Sequence, residues 1–140
     1  MSAELFHIES EQSVIGGLLI DPKAFDNIDF LTEKDFYRED HRRIYRAIAL
    51  MLADRKPVDV ITLAEFLASS GDAETIGLAY LGELQMNTPS AANIKRYAEV
   101  VREKRLLRDL LSAADTITEI AVAESQEAAA DRIDQAAALV

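Results

Sequence analysis

The chain has 140 residues, 49% of them apolar and 29% charged, with a formal net charge of −10. That length suits one ordinary domain, or one compact domain with an appendage; the apolar share is enough to build a core, and the charge is too mixed in sign to suggest disorder. The absence of cysteine excludes disulfide frameworks and thiolate metal sites. The acidic balance argues against nucleic acid as the main ligand, because such affinity rests on Lys and Arg meeting phosphates.

The charge is unevenly spread. Residues 1–90 hold 8 basic and 16 acidic side chains, residues 91–110 hold 6 and 3, and residues 111–140 hold 1 and 6. Lys95, Arg96, Arg102, Lys104, Arg105 and Arg108 thus form a basic band between two acidic regions. It reads as a solvated helix face or as a docking strip for an acidic partner. Met1-Ser2-Ala3-Glu4 lacks the basic start of a signal peptide, and no apolar run has the length of a membrane span. The expectation is a cytoplasmic protein without a membrane partner.

In chain order, the patterns are helical. A first helix is expected from about Ile8 to Leu19, with Val14, Ile15, Leu18 and Leu19 inward. Gly16-Gly17 within it costs roughly 1 kcal/mol per glycine relative to alanine and points to close approach by another helix, or to a bend. A short helix follows Pro22. The next is expected from about Asp40 to Ala53, with Ile44, Ala47, Ile48 and Met51 inward. Thr62 and Glu65 have capping-box spacing and Ile61 and Phe66 staple spacing, predicting a helix start at Thr62 and an end at Gly71. Another helix covers about Ile76 to Met86.

From about Ser90 to Ala123 there is neither Pro nor Gly, which predicts one very long helix. Ile94, Tyr97 and Val101 open its apolar stripe. Leu106, Leu110, Ala113, Ile117 and Ile120 continue it with spacings of a heptad seam. After a break near Glu124-Ser125-Gln126, Ala129, Ile133, Ala136 and Val140 repeat the pattern. The pair reads as an αα-hairpin, with alanines permitting close approach. The expected class is all-α: a compact helical head, 1–90, and a long C-terminal hairpin, 91–140. The seam can serve the domain's own core or a second subunit, and its extent favours the second. An apolar end at Leu139-Val140 predicts a fragment of a longer protein.

Chemistry-bearing motifs are few. Gly77 and Gly82 have the spacing of a phosphate loop, but Glu83 and Leu84 stand where Lys and Ser/Thr are required. His7 and His41 lack metal-ligand spacing, and no nucleophile elbow occurs. The segment Phe36 to Arg46 mixes aromatics and arginines. It reads better as an amphipathic helix, with Glu39 pairing Arg42 and Arg43, than as a base-stacking platform. No catalytic, cofactor or metal residues are expected.

Four stretches resemble the N-terminal domain of bacterial replicative hexameric DNA helicases, the DnaB family. They are Ile8–Leu19; Asp35-Phe36-Tyr37-Arg38 with Asp40-His41-Arg42; Pro57-Val58-Asp59-Val60-Ile61-Thr62-Leu63; and Ala79–Leu84 with Asn87–Ile94 and Tyr97-Ala98-Glu99. The resemblance implies a helical head and hairpin, hairpins pairing between subunits, and a six-membered collar that receives primase. A helicase loader is a further partner it allows. It places ATP, Mg and 5′–3′ unwinding in a separate C-terminal RecA-like domain, leaving this chain without enzyme activity of its own. A stand-alone helical adaptor or helicase regulator is the alternative.

Overall fold

The structure, a computed structural model, describes residues 4–71, 76–124 and 127–140. All regular structure among them is helical: α1 (Ile8–Ile20), α2 (Glu39–Ala53), α3 (Val60–Ser69), α4 (Leu78–Asn87), α5 (Ile94–Val122) and α6 (Ala129–Ala137), with 3₁₀ turns at Pro22–Ile28 and Glu33–Asp35. Contacts divide the chain into one unit, Met1–Arg105, and a second, Leu106–Val140.

The first unit is a helical head built on α1. Val14, Ile15 and Leu18 are fully buried, and each such side chain contributes roughly 1.5–3 kcal/mol. Ile44 and Ile48 of α2, Leu63 and Leu67 of α3, and Leu81 and Leu84 of α4 join the same core. Gly16 explains how α1 and α4 come together: a Cβ there would stand 2.6 Å from the Leu84 carbonyl oxygen. The glycine pair therefore marks close helix approach.

Ile94, Ala98 and Val101 bring the first turns of α5 into this core. The head accordingly extends to Arg105, past the boundary expected at residue 90, because the apolar stripe of α5 is buried before the heptads begin.

Local chemistry sets the helix ends. His7 Nδ1 accepts from the Ser10 amide, 3.2 Å, and caps α1. The start of α3 differs from expectation. Asp59, three residues before Thr62, is the N-cap, accepting from the Thr62 amide at 2.8 Å while the Thr62 hydroxyl accepts from the Asp59 amide at 2.9 Å. That reciprocal pair lowers the Asp59 carboxyl, chiefly through the Thr62 backbone bond. Val58 and Leu63 then hold the staple positions, and both are buried, whereas Ile61 is exposed. Gly71 follows α3 with φ +85°, the left-handed conformation glycine adopts without Cβ strain. Ile76 is buried but precedes α4.

The second unit holds the rest of α5 and α6. No residue of α6 is buried, and none of α5 beyond Val101. Of the break expected near Glu124-Ser125-Gln126, Ser125 and Gln126 lie outside the described residues. No helix among the described residues is long and apolar enough to cross a membrane.

Candidate functional site

Two features of the described residues are costly to build and unexplained by packing alone. One is a buried polar relay that surfaces in a groove on the head. The other is the uncovered apolar face of the hairpin.

The relay begins at Glu11 on the buried face of α1, 1% exposed. Its carboxylate accepts from the Tyr37 amide at 2.8 Å and the Arg38 amide at 3.4 Å, ahead of the N-terminus of α2, where a negative charge is favoured. His41, fully buried, places Nδ1 2.8 Å from the Glu11 carboxylate and Nε2 2.7 Å from the Tyr80 hydroxyl. Gln12 donates to the same hydroxyl at 3.4 Å. The Arg38 guanidinium lies 5.5 Å from the Tyr80 ring centroid and pairs with Asp40. The Asp40 hydrogen bond holds the Arg38 guanidinium above its ordinary value, while burial pushes the Tyr80 hydroxyl up.

Tyr80 is the half-buried end of this chain. It faces a groove between α1 and α4 of about 270 Å³, lined also by Glu9, Gln12, Ser13, Glu83, Leu84, Asn87 and Thr88. Hydroxyls, amides and two carboxylates make it a polar recognition surface with a fixed tyrosine at its wall.

The hairpin offers the opposite chemistry. Leu106, Leu110 and Ile133 are 54%, 65% and 67% exposed. Ala113, Ile117, Ile120 and Ala136 are partly covered, while Ala129 and Val140 are exposed. Ile117, Ile120, Ala129, Ile133 and Ala136 do come together, lining an apolar cavity of about 530 Å³ between α5 and α6 with Ala121, Glu127 and Arg132.

Much of the basic band is turned toward the head. Arg102 and Arg105 reach Asp35, which is fully buried, at 3.1 and 3.0 Å. Lys104 donates to the Glu4 carbonyl at 2.9 Å, and Arg96 pairs with Glu99 at 3.6 Å. Arg102 and Arg105 are thus engaged with the head, whereas Lys95 and Arg96 stay exposed on α5. Arg43 pairs with Glu39 at 2.7 Å, but Arg42 instead donates to the Phe36 and Tyr37 carbonyls. The Gly77–Gly82 stretch forms the start of α4, with Gly77 as its N-cap, and so is no phosphate loop. No group of three or more His, Cys, Asp or Glu side chains suited to a metal ion occurs among the described residues.

Sequence reasoning missed Glu11, Gln12 and Tyr80 as a set. Glu11 carried one faint signal, a carboxylate on the apolar face of a helix.

The family model of the DnaB-like helicase N terminal domain matches residues 3–103. The chain belongs to that family. Among DnaB relatives, it is 41% identical over 131 residues to the replicative DNA helicase DnaB of Pasteurella multocida, covering 92% of this chain and 28% of that protein. The chain thus spans about a quarter of the length of such DnaB relatives. It is also similar to the N-terminal domain of DnaB helicase from Mycobacterium tuberculosis, with TM-score 0.90, 34% identity and coverage of 98% and 97% of the two chains. A DnaB-like replicative helicase whose structure describes interactions with primase shares the fold, with TM-score 0.76 and 23% identity over 95% of this chain and 30% of that one.

Proposed function

We propose that this chain is the oligomerisation and partner-docking part of a cytoplasmic, ATP-dependent 5′–3′ replicative DNA helicase. The single observation that carries the reading is the hairpin. Its heptad residues Leu106, Leu110 and Ile133 stay exposed, and a second copy is the partner a self-complementary seam fits best. In the parent protein, paired hairpins would build a six-membered collar. The chain takes no nucleotide or metal and performs no chemistry; ATP and Mg act in a separate domain of the parent. Primase is the proposed protein partner and a helicase loader a further one.

The docking surface we assign on the head is the α1–α4 groove around Tyr80. The basic strip is the weaker candidate, since Arg102 and Arg105 are engaged with Asp35. Titrating the source organism's primase into the chain tests the reading. Saturable binding weakened by Glu9→Lys and Glu83→Lys is expected; no binding at any concentration sinks it.

A further inference from the structure

Glu11 has a structural task at the Tyr37 and Arg38 amides, which leaves His41 and its link to Tyr80 unexplained. Replacing a buried polar pair with apolar groups of the same shape is often neutral or stabilising, so the position of His41 calls for another account. The relay reaches the half-buried surface at the hydroxyl of Tyr80.

The hydrogens on this relay can be assigned from chemistry. Glu11 is a carboxylate and only accepts. It lies 2.8 Å from His41 Nδ1, so Nδ1 carries a hydrogen. A neutral imidazole then has a bare Nε2, and the Tyr80 hydroxyl, 2.7 Å away, must donate to it. Gln12 donates to the same oxygen. Tyr80 therefore turns only acceptor lone pairs toward a groove that also carries the Glu9 and Glu83 carboxylates.

We propose that Glu11 and His41 are positioning residues that hold Tyr80 as a hydrogen-bond acceptor for a lysine or arginine of the docking partner, and that a proton on His41 reverses Tyr80 into a donor and releases that partner. The proposal rests on the α1–α4 groove being the docking surface.

The proton adds to Nε2 from solvent. The imidazolium donates through both nitrogens, to Glu11 and to the Tyr80 oxygen. The tyrosine's own hydrogen must then swing outward, facing the partner's donor with a donor. No heavy atom has to move, because 2.8 and 2.7 Å serve both hydrogen arrangements. The charged and titratable groups facing the relay are Glu11 from α1, Asp40 of α2 at 3.9 Å from Nε2, and Tyr80 from α4. Arg38 lies over the tyrosine ring and Glu83 acts on its hydroxyl.

Two measurements on the 140-residue chain test this. Nitrogen-15 NMR of His41, followed across the pH range in which the head stays folded, should show a hydrogen on Nδ1 and a bare Nε2 at the upper end and a hydrogen on both nitrogens at the lower end. The opposite tautomer, or unfolding before His41 takes up the proton, overturns the switch. In the second, primase binding is followed across the same pH range. Wild type should weaken with a midpoint matching the His41 titration. Tyr80→Phe keeps the ring under Arg38 and should bind about tenfold more weakly at the upper pH, with a flat profile. A Tyr80→Phe chain that binds as wild type and keeps the pH profile overturns the proposal. Failure of primase to bind the wild-type chain at all sinks the docking reading, while NMR still decides the orientation of the hydroxyl.

Discussion

Gly16 of α1 lies so close to Thr88 at the end of α4 that a Cβ added to the glycine would stand 2.0 Å from the threonine Oγ1. The threonine cannot simply turn aside, because its hydroxyl donates to the Leu84 carbonyl at 2.8 Å. Gly16→Ala is therefore expected to destabilise the head by about 2 kcal/mol, overpacking outweighing the gain in helix propensity. Gly82, inside α4, has nothing within 4 Å of its absent Cβ. Gly82→Ala should instead stabilise by about 0.5–1 kcal/mol. Urea midpoints of the two variants should move in opposite directions; a shared direction refutes the account.

A second expectation concerns the hairpin. Leu110, 65% exposed, and Ile117 sit on the seam of α5. Burying each in a dimer is worth roughly 1.5–3 kcal/mol, repeated by symmetry. Leu110→Glu with Ile117→Glu should give a monomer whose head remains folded. Sedimentation across concentrations, with circular dichroism as the folding control, checks it. A wild-type chain that stays monomeric up to millimolar concentration contradicts it.

Asp35 supplies a third. Its buried carboxylate receives Arg102 and Arg105 from α5 and the Thr32 amide at 2.7 Å. The two arginine side chains are 39% and 27% exposed, so water compensates part of their loss. Asp35→Asn should cost about 2 kcal/mol. Amide exchange should accelerate first in the opening turns of α5. Unchanged protection there would show that apolar packing alone holds that end of the helix.

Alkaline stability provides a fourth. Burial, with a contribution from Asp35, pushes the Tyr45 hydroxyl well above the ordinary 10.0. The folded chain then holds this proton more tightly than the unfolded chain. Its contribution is complete below pH 10.0 and falls as pH rises, because the unfolded tyrosine ionises first. Tyr45→Phe should lose about 1 kcal/mol at neutral pH with its hydrogen bond to the Leu31 carbonyl. It should also flatten the alkaline decline in urea midpoint. An unchanged decline would assign it elsewhere, Tyr80 first.

What the sequence made legible was periodic or local. Val14, Ile15 and Leu18 repeat at helical spacing and are buried together, and Gly16 declared a close neighbour without saying which one. Gly71 ended its helix because a positive φ is a local demand. Thr62 misled because two overlapping boxes, Asp59–Thr62 and Thr62–Glu65, satisfy the same spacing. Only the buried Val58–Leu63 staple decides between them. Glu11, His41 and Tyr80 stayed invisible as a group. They stand 30 and 39 residues apart along the chain, and nothing in a one-dimensional pattern says that three helices meet there. The engagement of Arg102 and Arg105 was hidden for the same reason: the buried carboxylate that receives them lies 67 and 70 residues away.

The Glu11 carboxylate serves the Tyr37 amide, the Arg38 amide and the His41 ring at once. Loss of that one side chain would strand three donors inside the head, two belonging to the main chain and beyond the reach of any compensating substitution. Position 11 should therefore be held fixed whatever stands at position 41, since a new residue at 41 relieves at most one of the three donors. Tyr37 meets this carboxylate only through its amide, and its ring stacks on Phe6 at a centroid distance of 4.3 Å, so exchange for another aromatic should be tolerated. A set of related sequences arranged by descent should show an unchanging position 11 beside a position 37 that stays aromatic.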